Sequence, residues 1–104
     1  MVSVSFNERE RRLVLDGPCW PSDAGGLAGA ILDVADPTRG LVLDLTRVTG
    51  IPPVVAGAIT SACCRAEADG CHIRVWTLPD SATARELACA SGGQSLLAGS
   101  ARRP

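Results

Sequence analysis

The chain has 104 residues, 46% of them apolar, and this size limits it to one domain with a single hydrophobic core. Its 10 basic and 11 acidic residues leave a formal charge of −1, so it has no excess of positive charge with which to bind nucleic acid or an anionic membrane surface. All 10 basic residues are arginine, which excludes chemistry that uses a lysine Schiff base.

Residues 1–9 lack both the basic patch and the apolar run of a signal peptide, and charged residues interrupt every apolar stretch that approaches the length of a membrane span. We therefore expect a cytoplasmic protein. The 5 cysteines are odd in number and contain no Cys-x-x-Cys motif, which is typical of reduced thiols. His72 is the single histidine, and no further ligand lies at zinc-site spacing, so we expect no metal, no cofactor and no catalytic triad.

A β-hairpin is predicted at the start of the chain. Residues 2–6 alternate between apolar and polar side chains, the polar cluster 7–12 turns the chain, and residues 13–15 form the returning strand. The Asp-Gly-Pro sequence at 16–18 is expected to end this second strand, because glycine and proline favour turns.

An amphipathic helix is expected to follow the hairpin. Ser22 is placed to cap a helix that starts near Asp23, apolar side chains recur at helical spacing, and Pro37 stops the helix. The next apolar run, Leu41–Leu45, is too short for a helix and is typical of a central strand that runs parallel to a neighbour. We expect the carboxylate of Asp44 to accept hydrogen bonds from amides in the following loop.

Two prolines mark the start of a second helix. Proline suits the first helical turn, where its missing amide would have had no partner, so Pro52 and Pro53 predict a helix over 53–69. Gly70 supplies its left-handed end. Cys63 and Cys64 lie about 100° apart on this helix, so one is expected to be buried while the other lies near its edge.

The pattern of the last third predicts one more strand and one more helix. Residues 72–78 alternate in the manner of a strand, with Trp76 as a core side chain, and Asp80 or Ser81 caps the helix that follows. Leu96 and Leu97 are expected to fold back as a short closing turn.

The order strand, strand, helix, strand, helix, strand, helix predicts an α/β domain. In this architecture helices pack against a four-stranded mixed sheet through right-handed crossovers. We assign residues 1–99 to the domain and residues 100–104 to a flexible C-terminal tail, since chain ends fray by default.

Several of these segments carry a family likeness. They are the apolar strand with Asp-Leu-Thr at 44–46, the loop and helix after it, Gly70 before the strand at 72–76, and the helix with Ala-Arg-Glu-Leu at 84–87. In this order and spacing the chain resembles, over most of its length, the STAS domain of bacterial anti-sigma factor antagonists. The resemblance implies a STAS-like fold and a module without catalysis that docks on an anti-sigma factor, often itself a serine kinase, and so releases a sigma factor.

The loop before the second helix departs from the family pattern. Members of the family usually carry Asp-Ser-Ser/Thr-Gly there, and phosphorylation of the serine abolishes docking. In this chain Pro52 replaces the aspartate, and Pro53 stands at the phosphoacceptor position without a hydroxyl group. Trp20 replaces another acidic position of the family. The departure from the family pattern therefore predicts either constitutive docking without a serine phosphoswitch or a changed partner.

We expect these replacements to form an apolar contact surface, because exposed apolar patches commonly mark contacts. The predicted partner-binding residues are Trp20, Gly50, Ile51, Pro52, Pro53, Val54 and Val55. For Trp20 two interpretations stay open, a lid on the core and an interface anchor. A homodimer through this surface is an alternative to an anti-sigma factor or a related regulatory kinase. A module that binds a lipid or small molecule, or that assembles into a larger complex, is the alternative function.

Overall fold

The predicted order of strands and helices is confirmed in the computed structural model, which describes residues 2–90. The elements are β1 (Ser3–Asn7), β2 (Arg12–Pro18), α1 (Ala24–Val34), β3 (Leu41–Gly50), α2 (Pro53–Ala68), β4 (Ile73–Trp76) and α3 (Ala82–Ala90). A short 3-10 helix, Pro21–Asp23, leads into α1. The closing turn predicted at residues 96–97 and the tail at 100–104 lie outside the described residues.

The sheet has the strand order β1-β2-β3-β4. The hairpin strands β1 and β2 are antiparallel, whereas β2 with β3 and β3 with β4 run parallel, as crossovers through α1 and α2 require. This arrangement confirms the predicted fold class, an α/β domain in which helices pack against a four-stranded mixed sheet.

The three helices pack against one face of the sheet. Leu13, Leu43 and Val75 are register partners on adjacent strands, and they form one core cluster with helix residues such as Ile31 and Ile59. The neighbouring positions in the strands point to the other face, because side chains alternate along a strand. That second face, called the open face below, carries half-buried or exposed side chains, apart from the buried Asp44.

Trp76 lies on the open face, so its assignment to the core is wrong. The side chain is half-buried, and the guanidinium of Arg12 lies 5.9 Å from the centroid of its ring. The cause is the two-residue period of β4, which turns Val75 into the core and therefore turns Trp76 away from it.

Two strands are longer than the sequence indicates. The expected stop at 16–18 does not end β2, which continues through Pro18, and β3 extends from Leu41 to Gly50 instead of ending at Leu45. The register of this pair shifts between Val14 and Asp16 and again between Gly17 and Pro18. Gly17 has a φ of +101°, which glycine adopts at low cost. Glycine at this position therefore permits the irregular backbone with which β2 stays paired to β3 as far as Pro18.

The helix ends follow the sequence with one exception. Ser22 does not cap α1, whose N-cap residue is Asp23 without a side-chain capping bond. The carboxylate of Asp23 accepts a hydrogen bond of 2.8 Å from the amide of Trp20, at the start of the 3-10 helix. Ser81, one of the two candidates for capping α3, accepts a hydrogen bond of 3.1 Å from the amide of Ala84. The chain leaves α2 through Gly70, whose φ of +98° is the left-handed conformation predicted there.

Among residues 2–90, no helix combines the length and the apolar character needed to cross a membrane.

Candidate docking surface

The predicted contact residues gather where β2 and β3 end. The two strands are parallel, so their carboxyl ends reach the same edge of the sheet. Their pairing continues beyond β2 through a hydrogen bond of 2.8 Å from the amide of Cys19 to the carbonyl of Gly50. This bond brings Trp20, the next residue, beside the loop that connects β3 to α2.

The prolines start α2 in the way that the sequence predicts. Pro52 has an extended backbone, with φ of −67° and ψ of 154°, and Pro53 is the first helical residue. The carbonyl of Pro52 accepts hydrogen bonds of 3.0 Å from the amides of both Val55 and Ala56. Because proline fixes φ near the helical value, the pair holds the first turn of α2 in place.

Two of the seven predicted contact residues are core residues. Ile51 is 9% exposed and Val55 is fully buried, so neither side chain is available to a partner. Ile51 belongs to the loop that covers the end of the sheet, and Val55 lies on the side of α2 that packs against the core, so both side chains point inward. Ile51 and Val55 therefore pack in the core below this edge. Five of the seven predicted residues remain available for contact with a partner.

Trp20 and Val54 are the large apolar side chains of the predicted contact set that remain exposed. Their exposed fractions are 55% and 54%. Trp20 is therefore not a lid over the core, and its interpretation as an interface anchor is the one that this exposure favours. Pro53 is also exposed, whereas Gly50 and Pro52 are half-buried. We call these five residues, Trp20, Gly50, Pro52, Pro53 and Val54, the docking surface.

One side of α2 continues the docking surface along the helix. Gly57, Ser61 and Cys64 follow Val54 at intervals of three, four and three residues, so they lie on one side of the helix. Gly57 is half-buried, and Ser61 and Cys64 are exposed. These four residues are small and uncharged, so a partner can approach α2 closely and meets no ionised side chain among them.

Asp44 has the structural role that we expected. Its Oδ1 accepts hydrogen bonds from the amide of Thr46 at 3.0 Å and from the hydroxyl of Thr46 at 2.7 Å. The amide lies within β3 rather than in a loop, since β3 continues to Gly50. The carboxylate is buried and belongs to the open face, not to the docking surface.

The open face contains a shallow depression that the sequence did not indicate. Its volume is about 440 Å³, and its lining includes Arg12, Asp44, Arg47 and Trp76. Arg12 and Arg47 form ion pairs with Glu10 and Asp16, at 3.1 and 3.7 Å. The sequence could not predict this depression, because the irregular pairing of β2 with β3 determines which side chains of the two strands lie next to each other.

The cysteines divide as the helical spacing predicts. Cys63 is buried and Cys64 is exposed. Burial raises the pKa of the Cys63 thiol to about 12, with smaller contributions from Glu67 and neighbouring thiols. Within residues 2–90, no group of three or more histidine, cysteine or acidic side chains is arranged to hold a metal ion.

Comparison with known proteins gives a structural likeness. No protein-family model and no curated protein matches the sequence. Among solved structures, the chain is similar to SiaC in the crystal structure of diguanylate cyclase SiaD in complex with its activator SiaC from Pseudomonas aeruginosa. The TM-score is 0.61 at 20% sequence identity, over 93% of this chain and 87% of the matched chain. The likeness supports the fold that the STAS resemblance implies.

Proposed function

We propose that this protein is a non-enzymatic interaction module that binds an anti-sigma factor or a related regulatory kinase through the docking surface and the adjoining side of α2. The observation that carries the proposal is the exposure of Trp20 and Val54, together with the uncharged side of α2 that begins at Val54. SiaC is an activator in complex with a diguanylate cyclase, and the likeness to it supports the coarser part of the proposal, a module that acts by binding another protein.

The physical basis of the proposal is the apolar character of the surface. A tryptophan side chain can bury about 150–250 Å² in a contact, and tryptophan is enriched among the residues that dominate binding energy. The backbone at Trp20 is held by two hydrogen bonds, because the amide of Trp20 donates to the carboxylate of Asp23 and the amide of Cys19 donates to the carbonyl of Gly50. An anchor that is ordered before binding loses less conformational entropy when a partner covers it.

The start of α2 also explains why we propose docking without a phosphoswitch. A phosphoryl group would add about −1.5 to −2 charges at the helix N-terminus, and Pro53 has no hydroxyl group to accept it. The docking surface therefore keeps one chemical state, and docking is expected to be constitutive. Control of the partner would then depend on the amount of this protein or on changes in the partner.

A second candidate partner follows from the comparison. SiaC occurs in complex with a diguanylate cyclase, so a diguanylate cyclase is the alternative partner to an anti-sigma factor. Both candidates use the same docking surface. They differ in the protein that this surface should capture.

The experiment compares three forms of the full chain as bait in cytosol from the source organism. They are the native protein, Val54→Asp, and a matched control, Val4→Asp, which places the same charge at a 45% exposed valine on β1. Circular dichroism confirms that each form is folded, and mass spectrometry identifies captured proteins. Val55 is left unchanged, because a charge at a fully buried position would unfold the domain.

The proposal predicts that the native protein and Val4→Asp capture an anti-sigma factor or regulatory kinase and that Val54→Asp does not. The affinity of the purified partner should fall at least tenfold for Val54→Asp, because the charge must be buried without a counter-ion. Capture of a diguanylate cyclase with the same pattern would select the second candidate. Capture of neither class, or equal capture by Val54→Asp, would overturn the proposal.

A further inference from the structure

One edge of the sheet is formed by an uncharged strand. Residues 2–7 read Val-Ser-Val-Ser-Phe-Asn, and the first charged side chain is Glu8 in the turn after β1. In the described part of the chain β1 pairs with β2 alone, so its outer backbone groups have no strand beside them. Ser3, Val4 and Ser5 are exposed, and the exposed fraction of Val4 is 45%.

Natural sheets usually protect such edges. An edge strand that carries a charge, a proline or a bulge resists pairing with other strands. The opposite edge has this protection, since β4 has only four residues and carries the exposed Arg74. By contrast, β1 has five residues in regular register with β2 and carries none of these features. The strand is therefore competent to add another strand by backbone hydrogen bonding.

We infer that β1 pairs with β1 of a second copy of this chain, antiparallel about a two-fold axis at Val4. The pairing joins two sheets of four strands into one continuous sheet of eight. With Val4 opposite its own copy, Ser3 lies opposite Ser5, and Val2 lies opposite Phe6. Glu8 of each copy falls beyond the paired segment.

The pattern of β1 selects a second copy as the occupant. Directly opposed residues in an antiparallel pair lie on the same face, so this register places apolar side chains against apolar ones and serine against serine. Val4 and Phe6 are register partners of Leu15 and Leu13, so the apolar row lies on the face that carries the core. The contact therefore extends the core across the junction.

Charge supports the same occupant. In a pair related by a two-fold axis, the residue at the axis lies opposite its own copy, and the other residues lie opposite those equally far from the axis. Like charges on opposed residues would repel each other. β1 meets this condition because residues 2–7 contain no ionisable side chain. A partner of different sequence would not require a neutral strand. Pairing at β1 uses none of the five residues of the docking surface, so variants can test the two interactions separately.

The first experiment measures mass by sedimentation equilibrium for the full chain and two variants. We expect the native protein to change with concentration from 10.7 kDa to twice that mass. Val4→Asp should weaken dimerisation at least tenfold, because it places two carboxylates at the axis. Val54→Asp should leave the dimer intact. A native protein of 10.7 kDa up to millimolar concentration, or loss of the dimer with Val54→Asp and not with Val4→Asp, would overturn the inference.

The second experiment tests the register and does not depend on a destabilising charge. The exposed Cys64 and Cys89 are first replaced by serine. Two separate variants of this protein, Val4→Cys and Val54→Cys, then each carry one new thiol at a similarly exposed position. A short bifunctional thiol reagent should join Val4→Cys into a covalent dimer, since directly opposed Cβ atoms lie about 4.5–5.5 Å apart. It should leave Val54→Cys monomeric. Cross-linking of Val54→Cys alone would contradict β1 pairing.

Discussion

Adjacent residues at the start of α2 have opposite environments. Val54 is 54% exposed, whereas Val55 is fully buried, although the two side chains are identical. Successive residues of a helix point about 100° apart, so one position faces solvent while its neighbour faces the sheet. The apolar sequence of the loop therefore serves two purposes, a contact surface at Val54 and core packing at Val55 and Ile51.

Truncation of these two valines should have very different effects on stability. Val55→Ala removes two buried methyl groups and leaves a cavity, so we expect the free energy of unfolding to fall by about 2 kcal/mol. Val54→Ala should change it by less than about 0.5 kcal/mol. Urea denaturation measures both changes in the free energy of unfolding, provided that the dependence of this free energy on urea concentration is the same for all variants. Equal losses for the two variants would mean that Val54 is packed in the folded protein.

Burial also determines which thiols react. Cys64 and Cys89 are exposed, whereas Cys19, Cys63 and Cys71 are buried. Burial raises the pKa of Cys63 to about 12 and also raises the pKa of Cys19, where nearby Asp23 acts in the same direction. Since the thiolate is the reactive form, iodoacetamide at pH 8 should label Cys64 and Cys89 first. Tandem mass spectrometry separates Cys63 from Cys64, and faster labelling of Cys63 would contradict the described packing.

The raised pKa of Cys63 also predicts a loss of stability at alkaline pH. The folded thiol keeps its proton until the pH approaches 12, whereas the unfolded thiol releases its proton near the ordinary value of 9.0. Folding stability attributable to this group is therefore intact below 9.0 and decreases as the pH rises toward 12. Urea denaturation from pH 8 to 11 measures this decrease in the free energy of unfolding. In a Cys63→Ala variant the free energy of unfolding should decrease less over the same pH range.

At the scale of elements, α2 is the best predicted part of the chain. The expected bounds, 53–69, differ by one residue from the observed Pro53–Ala68. Both ends depend on local chemistry: proline fixes the first turn, and Gly70 adopts the left-handed conformation after the last turn. The strand β3 was predicted five residues too short, because its second half is a strand only through pairing with β2.

The two glycines associated with α2 should respond in opposite ways to alanine. Gly70 has a φ of +98°, so Gly70→Ala should destabilise the fold by about 1–2 kcal/mol, although the added Cβ would lie in ordinary contact with Pro37. Gly57 lies in the helix, and beyond the adjacent residues and helix backbone no atom lies within 4 Å of an added Cβ, so Gly57→Ala should stabilise the fold by about 0.5–1 kcal/mol. Thermal unfolding followed by circular dichroism measures both changes. A stabilising Gly70→Ala would mean that the chain leaves α2 in another conformation.

At the scale of the whole molecule, one core joins the sheet to the helices. Within residues 2–90 the buried apolar residues form a single cluster that includes Leu43 of the sheet, Ile31 of α1, Ile59 of α2 and Leu87 of α3. A domain of this size with one core is expected to unfold cooperatively, because no element can leave without exposing the others.

The two tryptophans allow a direct test of this cooperativity. Trp20 lies at the docking surface and Trp76 on the open face, so they report on different parts of the molecule. Trp20→Phe leaves Trp76 as the fluorophore, and Trp76→Phe leaves Trp20. In urea, each variant should show the same midpoint by fluorescence as by far-ultraviolet circular dichroism. Fluorescence of Trp20 that changes at lower urea than the dichroism would show that the docking surface opens before the core.

The sequence by itself determined the order of the elements, the start and end of α2, and the absence of a hydroxyl group at Pro53. These features depend on periodicity and on proline and glycine, which act within a few residues of their own position. Only the tertiary structure decided that Trp20 and Val54 are exposed while Ile51 and Val55 are buried, that Trp76 lies on the open face, and that β2 and β3 continue to the docking surface. Exposure and strand pairing depend on segments that are distant in the chain, and no local pattern contains that information.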